Sequence, residues 1–158
     1  MFNLPTQERL LAWQTFRKQL DTLSLEQCVY ETNRLWWSAP ISNQYYCHSL
    51  PEQWPDPWQL IIDNVYDNIS RALGMMYTLH YTNHNCELEL ACGVEHSNEY
   101  SIVLVAGGKY TLNWDTMVHV NTPTHKAASR FAVQELIKRN NNESSTNSYK
   151  TRWQQRIN

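Results

Sequence analysis

Cys47-His48 sets a thiol beside an imidazole in the stretch NQYYCHSLPEQWPDPW, the first place in the chain where chemistry is conceivable. A thiolate nucleophile needs a base to draw off its proton and surroundings that lower its pKa. Sequence neighbours rarely form that pair, because their side chains point apart. The base would have to come from elsewhere, with His80 and His119 as candidates. An ordinary surface thiol is the better reading, so Cys47 is expected to be dispensable for chemistry. An apparent pKa well below the unperturbed value of about 8.5 would reverse that.

The densest set of metal-type ligands lies in HYTNHNCELELAC: His80, His84, Cys86 and Cys92. Zinc takes such ligands, but this spacing fits no compact knuckle. Two of the four fall on predicted strands, where alternate residues point to opposite faces. Sheet residues, with cysteine acting as a small hydrophobe, are favoured over a metal site. Neither metal nor cofactor is expected. The carboxylates Glu87, Glu89, Glu95 and Asp115 are scattered. Glu87 and Glu89 share a strand face, and a charged solvent face is favoured there over a catalytic pair. The phosphate-loop, dinucleotide, nucleophile-elbow and zinc-protease motifs are all missing from the sequence.

The elements that position these residues belong to a chain of 158 residues, 42% hydrophobic, with a formal charge of −2. That length predicts one domain with a core of its own. The charge offers no broad footprint for nucleic acid or membrane. No run approaches the roughly 20 apolar residues of a membrane span. The opening MFNLPTQERL turns polar quickly, so a cytosolic product with reduced thiols is expected.

Helical spacing of Leu10, Trp13 and Leu20 predicts a first helix over 6–20, capped by Thr6. Ser24 with Gln27 is a capping-box signature for a second helix to about Trp37, burying Val29 and Trp36, and Ala39-Pro40 ends it. Residues 38–55 read as a long irregular loop, either functional or pinned by its aromatics. In WPDPW, Asp56 is a good N-cap and Pro57 a good first helical residue. A central helix over 57–73 follows, with Trp58, Ile61, Ile62, Val65, Ile69, Ala72 and Leu73 on one face and Gly74 just past its end. Trp58 is expected in the core. Trp54 is expected to fold the loop back and to offer a partner contact.

Past Gly74 the pattern alternates. MMYTLHYT (75–82), CELELACG (86–93), EYSIVLVAG (99–107) and KYTLNW (109–114) read as strands, with a tight hairpin at Gly107-Gly108. A last helix is predicted from Thr122 or Thr124, with Ala128, Phe131, Ala132, Leu136 and Ile137 as its apolar stripe. The expected fold class is α+β: N-terminal helices and a central helix on an antiparallel meander sheet, then a C-terminal helix and a polar tail. The domain is placed at 1–139 and the tail at 140–158. The tail is too polar for a core of its own. Tyr149, Trp153 and Ile157 are spaced to line one helical face, with Lys150, Arg152 and Arg156 beside them. Docking on a neighbouring protein is favoured over binding single-stranded nucleic acid.

DNVYDNISRALGMMYTLHY is similar to the helix-then-strand of transglutaminase-like domains, whose helix closes in a phrase that Arg71-Ala72-Leu73-Gly74-Met75 matches. EYSIVLVAGGKYTLNWDT resembles their paired strands, which carry a His and then an Asp. The resemblance covers about residues 56–116. That family's nucleophilic cysteine sits near the start of the central helix, and no cysteine occurs from His48 to Asn85. The strand histidine would fall near Tyr100 to Ile102, where none stands, and the Asp position is near Asn113 and Asp115. The resemblance thus implies a shared fold whose triad is lost.

The string WPDPW, RALGM, YTL and IVLV followed by GKYTLNW resembles small virion-associated or uncharacterised proteins of contractile-tailed bacteriophages. It implies a virion component made in the host cytoplasm: a structural or assembly protein of the neck, tail or baseplate. Its expected partners are other phage structural proteins or further copies of itself. It names no activity. The rivals are a thiol enzyme of transglutaminase or peptidase type built on Cys47, and a nucleic-acid-binding accessory protein acting through the tail.

Overall fold

Capping residues decide where the helices begin in the computed structural model, which describes residues 1–43, 46–95, 97–121 and 129–143. Helix α1 (Thr6–Leu20) opens from Pro5 in extended conformation, without a side-chain cap. Thr6, expected as the cap, lies inside the first turn, where its hydroxyl accepts from Arg9 Nη2 at 3.1 Å. Helix α2 (Leu25–Trp37) starts with the full Ser24–Gln27 capping box and buries Val29 and Trp36 completely. Asp56 accepts from the backbone N–H groups of Trp58 and Gln59, both at 2.8 Å, and starts α3 (Pro57–Asp63).

The single central helix expected over 57–73 is two helices. Asn64 ends α3 at φ 54°, in the left-handed region that asparagine tolerates. Asp67 then caps α4 (Asn68–His80) through a box with Ser70. The joint shifts the apolar face by one residue: Tyr66 is fully buried, whereas Val65 is only half-buried. MMYTLHYT, expected as a strand, is the second half of α4. Eleven successive residues from Ile69 to Leu79 are buried, so this is a helix enclosed on all sides. Such a helix shows no polar face for a period to reveal. Gly74 is not a terminus. A Cβ built on it would lie 2.3 Å from the Trp36 ring, so the missing side chain lets α2 pack tightly on α4. Four residues on, the Thr78 hydroxyl accepts from the indole N–H groups of Trp13 and Trp36, both at 2.9 Å, and donates to the Gly74 carbonyl at 2.7 Å.

The sheet is antiparallel and consists of β1 (Leu88–Glu95), β2 (Asn98–Val105), β3 (Tyr110–Leu112), β4 (His119–Val120) and β5 (Ser129–Ala132). Its order is β4-β3-β2-β1-β5, a meander with β5 added beside β1. Leu90 faces Val103 on one side and Phe131 on the other. The hairpin at Gly107-Gly108 forms as expected, with Ala106, Gly107 and Gly108 all at positive φ. The C-terminal helix is corrected. Ser129–Ala132 is a strand and α5 (Val133–Glu143) starts only after it. The open edge of β1 gains ladder hydrogen bonds from this segment, and Phe131 lands on Trp54 at 5.0 Å between ring centroids. Helix α5 also runs past the boundary drawn at 139. The predicted cap residues Thr122 and Thr124, and residues 144–158 of the tail, lie outside the described residues.

The helices cover one sheet face, where Leu88, Leu90, Cys92, Val103, Val105 and Leu112 join the main core. Ala91, Tyr100, Ile102 and Leu104 form a smaller cluster on the other face, with Trp114 against it. The architecture is α+β, as the sequence implied. No described helix is long and apolar enough to cross a membrane.

Candidate functional site

The end of α2, the start of α4, the β1–β2 hairpin and the end of β3 converge on a cleft of about 300 Å³. Trp37, Asn68, Glu95, Asn98, Glu99, Tyr100, Asn113 and Trp114 line it. Asn113 is its pivot. It sits just past β3 at φ 64° and is only 3% exposed. Its Nδ2 donates to the Ser101 carbonyl at 2.7 Å and to the Asn68 carbonyl and side-chain oxygen at 3.0 and 2.9 Å. Its N–H donates to Asn33 Oδ1 at 3.1 Å. The Asn113 Oδ1 is buried with no hydrogen-bond partner. The same holds for Nε1 of Trp37, whose ring carries the Arg71 guanidinium at 4.1 Å. Tyr100 and Trp114 meet edge to face at 5.6 Å.

A second cleft of about 260 Å³ opens on the other side of Glu99, between the loop at Cys47–Ser49 and the strand residues Cys92, Gly93, Val94 and Ser129. His48 Nε2 lies 3.0 Å from Ser101 Oγ, and its Nδ1 lies 3.7 Å from Glu99 Oε2. Acid, imidazole and hydroxyl thus stand in the order of a hydrolase triad. Ser101, however, is 0% exposed and turned to the helix-covered face beside Cys92, so its hydroxyl has no access to a substrate. Burial pushes the Cys92 thiol up to about 11. Cys47 is exposed, and hydrogen bonds with the Ser49 hydroxyl, 3.0 Å away, and the Ser49 backbone hold its thiol below the ordinary value. Neither His80 nor His119, the bases considered for Cys47, lines this cleft. His119 pairs with Asp115 at 2.9 Å, and His80 closes α4, its pKa lowered by burial.

The metal-type set is dispersed. His84 meets the Leu20 carbonyl at 3.3 Å and Cys92 lies by Ser101. Among the described residues no three His, Cys, Asp or Glu side chains are grouped to hold a metal ion. Glu89 pairs across the sheet with Arg130 at 3.3 Å, and Glu87 precedes β1. Trp54, expected to meet a partner, is 5% exposed. Its ring is spent inside the molecule, on Phe131 and on a hydrogen bond from Nε1 to the Cys47 carbonyl at 3.0 Å. That bond, with Tyr46 N–H donating to Asp67 Oδ2, pins the described part of the long loop, one of the two readings its sequence left open. Tyr149, Lys150, Arg152, Trp153, Arg156 and Ile157 lie outside the described residues.

Sequence reasoning missed the Asn68–Ser101–Asn113 junction and Trp37 because the contacts join residues far apart in the chain. The one available sign was Asn113 after a strand, a residue type that accepts positive φ. The Ser101 backbone carbonyl and Asn113 meet beside the first residue of α4. The phrase at residues 71–75, expected to close a helix, sits in the middle of α4. No protein-family model matches the chain, nor does any curated protein or solved structure.

Proposed function

We propose that the chain is a structural or assembly component of a contractile-tailed phage particle, a binding module of the neck, tail or baseplate rather than an enzyme. The observation that carries the module reading is the makeup of the junction at the first cleft. At the positions the transglutaminase resemblance implies for a triad stand the amides of Asn68 and Asn113 and the backbone of Ser101, whose buried hydroxyl is turned to His48. None of these can attack a carbonyl from that position. The phage assignment rests on the sequence phrases alone. Tyr149, Trp153 and Ile157 remain the proposed contacts to a neighbouring subunit, rimmed by Lys150, Arg152 and Arg156. Peptide mass mapping of purified particles tests the proposal. A fixed copy number of this chain per particle is expected, and complete absence from them removes it.

A second reading, thiol chemistry at Cys47, is favoured by one feature: an exposed thiol of lowered pKa at the edge of a cleft. Among the described residues no base is placed for it, since the neighbouring imidazole of His48 is engaged with Ser101.

A further inference from the structure

The first cleft combines three kinds of group that one ligand chemistry satisfies together. The rings of Trp37, Tyr100 and Trp114 offer apolar faces in its lining. Asn68, Asn98 and Asn113 bring amides, and Glu95 and Glu99 bring carboxylate acceptors. Two of its atoms are left over by the fold: a donor, Trp37 Nε1, and an acceptor, Asn113 Oδ1, both buried and without a hydrogen-bond partner. A buried polar atom left in that state is costly and calls for an explanation. Asn113 is already fixed by four hydrogen bonds from its N–H and Nδ2, so its Oδ1 cannot swing elsewhere.

The charge and the leftover pair narrow the ligand. Among the described residues the charged side chains in the lining are two glutamates, which disfavour phosphates, nucleic acids and acidic sugars. An ammonium group would suit the rings and glutamates. It only donates, however, and would leave the Trp37 indole N–H unanswered. A hydroxyl both accepts and donates, and neighbouring hydroxyls would donate to Glu95 and Glu99. A molecule with several hydroxyls and a flat C–H face to lie on an aromatic ring is a sugar. The volume of about 300 Å³ suits one or two rings.

We infer that the cleft between Trp37, the β1–β2 hairpin and Asn113 is a binding site for a neutral saccharide. The inference deepens the reading of the chain as a binding module and is independent of its place in a particle. Titration of the full chain with neutral disaccharides (maltose, cellobiose, lactose and diacetylchitobiose) tests it, followed through the indole N–H resonances of ¹⁵N-labelled protein. At least one sugar is expected to shift the Trp37 and Trp114 signals saturably. Trp37→Phe keeps a ring beneath Arg71 but removes the donor, and its affinity should fall about tenfold. Glu99→Gln, at an exposed carboxylate, is the variant to use if Trp37→Phe fails to fold, and it should weaken the same sugar. Three results overturn the inference: no saturable shift with any of the four sugars, affinity unchanged in the folded variants, or saturation by tetramethylammonium where the sugars give none. None of these outcomes bears on particle mapping, so the two readings can fail separately.

Discussion

Cys47 and Ser49 stand two residues apart in the loop before WPDPW, and their hydrogen bond lowers the pKa of a thiol that no imidazole serves among the described residues. A lowered pKa means the thiolate is populated at lower pH than for an ordinary cysteine, and the thiolate is the reactive form. The rate of alkylation by iodoacetamide should therefore inflect below about 8.5, and Ser49→Ala should move the inflection upward. The thiol-enzyme reading requires more than this: a turnover that vanishes in Cys47→Ser. If the inflection stays put in Ser49→Ala, another group sets the thiol's acidity and a base has to be sought. The Cys47 thiol was visible in the sequence as a candidate. Its acidity was not, because that depends on how a loop turns and not on which residues it contains.

Local chemistry was legible where a helix start is written in a few adjacent residues. The Ser24–Gln27 box and the Asp56 cap are of this kind, and both lie where their residue types place them. Asp56→Ala should lower stability by about 0.5–2 kcal/mol in urea denaturation, through the two N–H groups it leaves unsatisfied. An unchanged midpoint would mean that the rigid Pro57 and the packing of Trp58 define α3 without the cap. Elements whose identity depends on remote packing were misread. Gly74 signals a terminus in isolation, yet here it makes room for an indole from another helix. Met75 to Leu79 alternate by accident, and their burial on every side is a property of the enclosing layers. Ser129–Ala132 is a strand because the edge of β1 lies open beside it, which no local pattern records. The cleft was illegible for the same reason: Trp37, Asn68, Glu99 and Asn113 come from four separate elements.

At the scale of the molecule, every described core residue lies between Phe2 and Leu136 in sequence. Residues 144–158 are too polar to build much core, so deleting them should leave the thermal midpoint within about 2 °C of the full chain, while abolishing attachment to its neighbours. A large loss of stability would make the tail part of the domain. Tail-dependent binding of single-stranded DNA that weakens steeply with salt would favour the nucleic-acid rival instead. The hydroxyl of Thr78 has a further consequence on this scale. It holds indole protons from α1 and α2 against α4, so each proton is sealed until its helix parts from α4. Local fraying cannot expose them. In deuterated water these two indole signals should outlast those of more exposed tryptophans, and their exchange rates should give the free energy of each parting from native protein alone.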